Sequence, residues 1–140
     1  MQTRKFYLNE AKNILKQDIE KGYTTYNELR KAKVSNGHHV FQDAAVNDLP
    51  GYKRGSAPAT HLEGPPNRVG TPHYNATQVQ NQIEYGGGTL GAERKIAYRA
   101  LRAGGYDEVQ AKAIIRGADK YFEVLGFDIN TPTKIPKTRR

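Results

Sequence analysis

Asn36-Gly37-His38-His39-Val40-Phe41 is the stretch from which the rest of the chain is read. Two of the four histidines stand side by side here, after a glycine that relaxes the backbone and before two strand-favouring residues. A third, His73, follows Thr71-Pro72, a hydroxyl N-cap with proline at the first helical position, and so falls in the first turn of a helix. Neighbours on a regular strand point to opposite faces. His38 and His39 therefore share one site only if the backbone bends, and Gly37 is the residue expected to allow it.

Outward from this stretch the pattern is mainly helical. Leu8, Ala11, Ile14, Leu15 and Ile19 recur at helical spacing and predict an amphipathic helix over 5–21, ended by Gly22. Thr25-Tyr26-Asn27-Glu28 has the form of a capping box and predicts a second helix to about Lys33. Residues 42–49 have room for one or two helical turns, stopped by Pro50-Gly51. The Gly, Pro, Ser and Ala-rich stretch 51–70 reads as a long loop with one short strand near Thr60 to Leu62. Unstructured loops of this length are uncommon in compact domains unless they serve a site, so this one is expected to fold over the histidines.

The helix opened by Thr71-Pro72 is expected to run through Ala76, Val79 and Gln80 to about Ile83, before Gly86-Gly87-Gly88 breaks the chain. The triple glycine reads either as a flexible turn or as a contact for a backbone phosphate, since free N–H groups at a helix start bind anions. It lacks the Lys-Ser/Thr ending of a P-loop. A helix is predicted over 90–103, with Ile96, Ala97, Ala100 and Leu101 on one side and Arg94, Lys95, Arg99 and Arg102 largely on the other. Asp107-Glu108-Val109-Gln110 is a second capping box, with Tyr106 placed to staple onto Ala111. Ala111, Ile114, Ile115, Ala118, Tyr121, Phe122 and Leu125 then form the clearest apolar stripe in the chain, closed by Gly126, and are taken as core. The tail 130–140 holds four basic residues and no acid, and is expected to be extended and mobile.

A chain of 140 residues with an apolar fraction of 36% supports one domain with a thin core. Without cysteine, neither disulfides nor a thiolate metal site is available, so any metal is held by His, carboxylate, amide or water. Lys plus Arg exceed Asp plus Glu by 22 to 14, a net charge of +8 that favours polyanionic partners, nucleic acid first among them. No run approaches the ~18 apolar residues of a membrane span, and no signal-peptide core follows Arg4 and Lys5.

Phosphodiester hydrolysis needs a base for water, positive charge near the phosphate and help for the leaving oxygen. An imidazole, titrating near pH ~6.5, serves either as base or as metal ligand at neutral pH. Gly37-His38-His39, a loop, and a helix bearing His73 in Gly70-Thr71-Pro72-His73-Tyr74-Asn75 together resemble the HNH and endonuclease VII superfamily of nucleases with the ββα-metal fold. The closest likeness is to the short nuclease domains of bacterial polymorphic toxins, whose motif is a His pair preceded by a small residue.

The resemblance implies an α+β, mostly helical fold: a small ββα-metal finger with a long loop, packed against several helices. The resemblance covers roughly 34–83, and the expected layout is a single nuclease toxin domain over 1–140, with N-terminal helices at 1–33, the finger-like site at 34–83, a helical hairpin at 89–126 and the basic tail at 130–140. It implies His39 as the general base and His38 and His73 as ligands of a divalent metal ion, magnesium or zinc. His61, Asn75 or Gln78 is left to fill the remaining ligand position.

The expected activity is metal-dependent endonucleolytic cleavage, with DNA favoured over RNA. The expected setting is the toxic end of a larger secreted effector of the contact-dependent inhibition type, delivered to the target-cell cytoplasm. Met1 is then an added start, and an acidic immunity protein restrains the +8 domain in the producing cell. Arg94, Lys95 and Arg99 are the candidates to line a nucleic-acid groove. Two other readings stay open: a metal-free ribonuclease using His39 and His73 as base and acid, and a non-enzymatic basic module that binds nucleic acid or protein.

Overall fold

A computed structural model describes residues 22–137 and 139. The helix expected over 5–21 lies outside them. The elements run α1 (Tyr26–Lys31), β1 (Gly37–His39), α2 (Asp43–Val46), β2 (Ala59–His61), α3 (Pro72–Gln80), α4 (Leu90–Ala103) and α5 (Glu108–Val124), with 3-10 turns at Arg54–Ser56 and Ile83–Tyr85. The fold is α+β and mostly helical, with one small antiparallel sheet, as expected. Among the described residues no helix is long and apolar enough to cross a membrane.

Local chemistry sets most helix starts. Thr25, Thr71 and Thr89 each accept the N–H three residues on, and Asp107 and Gln110 complete a reciprocal capping box at α5. The core forms where α4 and α5 meet: Ala97 and Leu101 pack with Ala111, Ile115, Ala118 and Phe122. Val40 and Phe41 continue β1 into this core, with the Phe41 ring 4.9 Å from that of Phe122. Their burial anchors the strand that carries the histidine pair. A smaller cluster, Leu62, Ala76 and Ala100, joins β2, α3 and α4, and its two alanines allow the helices to approach closely.

The sheet pairs Gly37 with His61, His38 with Thr60 and His39 with Ala59. A pair of three-residue strands is marginal by itself. Tyr106 secures it: its hydroxyl donates to the His61 carbonyl and lies 2.7 Å from the Thr60 hydroxyl. The turn before the pair differs from expectation. Asn36, at φ 59°, takes the left-handed conformation, whereas Gly37 packs close under Tyr26, where a Cβ would make a tight contact at 3.2 Å from the ring.

Two further expectations are corrected. Helix α3 stops at Gln80 rather than near Ile83, and the Gln80 carbonyl, which a continuing helix would offer to residue 84, instead accepts from Arg139 Nε at 2.6 Å. The tail from 130, expected to be mobile, is bonded to the domain. Thr131 accepts from Leu90 N–H, Thr133 donates to the Gly88 carbonyl, and Lys134 donates to the Ala45 carbonyl. At its end Arg139 forms a two-pronged pair with Glu93 of α4, both side chains being at most 1% exposed. Gly86, Gly87 and Gly88 all have positive φ, and a Cβ on Gly87 would lie 2.7 Å from Arg139 Nη1. The triple glycine thus lets the chain pass close over the buried ion pair.

Removing one partner of a buried pair leaves the other charge without compensation. Arg139→Met is therefore expected to destabilise the domain by roughly 3–5 kcal/mol. The check is the urea midpoint; a shift within error of zero would contradict the burial of this pair.

Candidate active site

Three of the four histidines border one cleft of about 310 Å³: His38 and His39 from β1 and His73 from the first turn of α3. All three are buried. As strand alternation demands, the neighbours go to different partners. His38 faces α3, where its ring stands edge-on to His73 with centroids 5.4 Å apart. His39 stacks on Tyr26 of α1 at 4.6 Å, and Arg54 lies over the same tyrosine at 5.0 Å.

Each ring has one nitrogen fixed by a neighbour. His39 Nε2–H donates to the Arg54 carbonyl at 2.9 Å, which leaves Nδ1 as the proton acceptor. That carbonyl is placed by the core, since the Tyr121 hydroxyl accepts from the Lys53 N–H one residue earlier. His73 Nδ1–H donates to the Gly64 carbonyl at 3.1 Å, leaving Nε2. The loop between the strands and α3 therefore serves the site, as its composition suggested. The Gln80 amide nitrogen donates to His38 Nε2 at 3.2 Å, a bond that requires His38 to be neutral and to carry its proton on Nδ1.

The electrostatics agree. Burial, reinforced by His73 and His39, drives the His38 pKa down to about 3. Burial also lowers His39, opposed by the bond to the Arg54 carbonyl and by the charge of Asp43, with the Arg54 guanidinium lowering it further. His73 is lowered by burial, opposed by its Gly64 bond, with a smaller lowering from His61. All three imidazoles are thus biased toward the neutral form, which a metal ligand or a general base requires.

Among the described residues no group of three or more His, Asp or Glu side chains is arranged to hold a metal ion. A divalent cation would find His73 Nε2 open, and His38 Nε2 only once the Gln80 amide releases it, with the other positions left to oxygens of water and phosphate. None of the three residues expected at the remaining ligand position lines the cleft. His61 lies on β2, outside the cleft, with Nδ1–H on the Ser35 carbonyl and Nε2 3.4 Å from Glu63. Asn75 and Gln78 are exposed on α3 and do not line the cleft.

On α3 the cleft wall instead carries Thr77 and Gln80, which follow His73 by four and seven residues on the same helix face. That spacing was a usable signal. Asp43, the one carboxylate on the cleft wall among the described residues, accepts from the Tyr52 hydroxyl at 2.7 Å and lies 4.0 Å from Arg54 Nε. Of the basic candidates, Arg94 is paired with Asp119 and Arg99 covers the Tyr85 ring at 4.6 Å. With Lys95 they border a separate groove of about 620 Å³ between α4 and α5, which also takes in Tyr98, Lys112 and Arg116.

The lowered imidazoles set a pH dependence for the metal-free chain. Unfolded His38 binds a proton below about pH 6.5, whereas folded His38 stays neutral down to about 3, so acid favours unfolding across that window. Above pH ~6.5 neither state is charged and the effect vanishes. Stability is expected to fall between pH 7 and 5, and His38→Gln to lessen that fall. Denaturation midpoints at the two pH values decide it; an unaltered drop in the variant would contradict a neutral, buried His38.

No curated protein and no solved structure matched the chain in comparisons with known proteins. A family model for an HNH/Endo VII superfamily toxin with a SHH signature matches residues 32–123, which contain the histidine pair, β2, α3 and α4. Where that signature has Ser, this chain has Gly37, and the Tyr26 ring fills the space beside it. The match covers most of the chain and every histidine, and the chain belongs to this family, Tox-SHH, of HNH/Endo VII superfamily toxins.

Proposed function

We propose that the domain is a toxin nuclease that hydrolyses phosphodiester bonds, DNA in preference to RNA, with His39 as general base and His38 and His73 as ligands of a divalent cation. The observation that carries this reading is the division of roles within one cleft. One imidazole is held by a backbone carbonyl with its other nitrogen free to take a proton, and two neutral imidazoles stand 5.4 Å apart beside it.

A bound cation would supply positive charge against the scissile phosphate. The remaining work falls to the chain. His39 Nδ1 takes the proton of the attacking water, while the Arg54 carbonyl and the Tyr26 stack hold its ring and Asp43 stabilises the imidazolium that results. Burial by α1 and the loop at 53–56 limits the ring to one orientation.

The groove bordered by Arg94, Lys95 and Arg99 is proposed to hold the nucleic-acid backbone, supported by its further cations Lys112 and Arg116. The same charge suits an acidic immunity protein, for which steering would give a salt-dependent association rate. In this reading the domain is delivered into a target cell as part of a larger protein. An acidic inhibitor seated on the groove blocks the path of the substrate.

His39→Ala is expected to lower cleavage of a fluorogenic oligonucleotide by roughly 10²–10⁴-fold with the fold retained. Full activity in the folded variant would remove His39 from the mechanism. For the groove, the affinity of His39→Ala protein for duplex DNA should fall by orders of magnitude from ~50 to ~200 mM salt. Adding Lys95→Glu and Arg99→Glu should reduce the log–log slope by roughly 1 per lost phosphate contact, and an unchanged slope would return these residues to the merely solvated surface.

A further inference from the structure

Arg139 lies 100 residues from His39 in sequence and outside the 32–123 span of the family match, yet it reaches both walls of the cleft from behind. Its Nε donates to the Gln80 carbonyl at 2.6 Å, and Gln80 is the last residue of α3, whose side-chain amide holds His38 Nε2. Its Nη2 donates to Gln42 Oε1 at 3.0 Å, and Gln42 is the wall residue between the histidine strand and α2. The same guanidinium is held on both oxygens of Glu93, from the core face of α4.

We propose that Arg139 is a positioning residue for the histidine centre: its guanidinium, seated on Glu93, ties Gln80 and Gln42 together and so sets the orientation of the His38 ring. This rests on the reading of His38 as a metal ligand, in which the Gln80 amide holds Nε2 in the metal-free chain and yields it to the ion, and extends the site to a segment beyond the family's matched residues.

The geometry makes a fork necessary. Three acceptors on three different elements are met by one planar group with fixed N–H directions, which an ammonium on a flexible stem cannot reproduce. The Gln80 carbonyl is one of the acceptors a helix end leaves without an intrahelical donor, so without Arg139 that carbonyl loses its partner. Gln80 then has no fixed origin from which to hold His38 Nε2. The pair with Glu93 supplies neutrality for the buried guanidinium, and Gly87 supplies room above it. Glu93 and Gly87 are therefore parts of the same device.

The test uses the full chain and two variants. Arg139→Lys keeps the charge on Glu93 but cannot make the fork, while Arg139→Met with Glu93→Met removes both charges together, a change that buried ion pairs often tolerate. The first readout is the ring-nitrogen NMR signature of His38 in metal-free protein, assigned with His38→Gln. Wild type is expected to show one tautomer with Nε2 unprotonated, and both variants to show a mixture of tautomers. The second is oligonucleotide cleavage, where kcat should fall about 10-fold with KM within twofold, the scale of an outer-sphere metal-site substitution.

A wild-type ring signature and wild-type kcat in folded Arg139→Lys would overturn the proposal and leave Arg139 as a stability element alone. If wild type cleaves nothing, the nuclease reading fails, and the ring signature still decides whether Arg139 orients His38.

Discussion

The register of a three-residue strand pair governs what this site can be. Side chains alternate along a strand, so a slip by one residue would send His38 to Tyr26 and His39 to α3, exchanging the two roles. The pair is too short to specify its own register, so the constraint comes from outside. Val40 and Phe41 are drawn into the core at one end of β1, and Tyr106 grips β2 at Thr60 and His61. Both anchors belong to, or pack on, the helical hairpin of α4 and α5. The helices are thus the reason a minimal sheet can present two adjacent imidazoles to one cleft.

From that register the remaining geometry follows through bonds to main-chain carbonyls. Arg54, Gly64 and Ser35 carbonyls orient His39, His73 and His61 respectively. Carbonyl acceptors do not titrate, so they hold a ring in one tautomer without adding a charge that would raise its pKa as strongly as a carboxylate would. The loop at 51–70, poor in large apolar residues, supplies two of these three carbonyls and is itself tied down by Tyr121 at Lys53 and by Thr71 at Pro65 and Arg68. Ordered loops of this kind make a site from backbone rather than from side chains.

The helices from Leu90 onward were legible because each carries its own start signal and a stripe with helical period. The histidine trio was legible because the His pair, the loop and the Thr71-Pro72 helix start are local features that also carry the family likeness. What stayed hidden depends on contacts between distant parts of the chain. Nothing near Tyr26 marks it as the partner of His39, and nothing in a basic, proline-containing tail marks Arg139 as a buried side chain. Composition pointed the other way, since a short basic segment with a single large apolar residue is usually solvated. Thr77 and Gln80 are the exception, since their spacing from His73 places them on its helix face.

The most direct measurement is cleavage of plasmid DNA and of total RNA by the purified domain, with magnesium, with zinc, and with chelator. Cleavage of DNA in the presence of a divalent ion, abolished by chelator and restored on adding the ion back, is the expected result. Cleavage of RNA alone that persists in chelator would contradict it, and would assign the two imidazoles of His39 and His73 to metal-free base and acid roles instead.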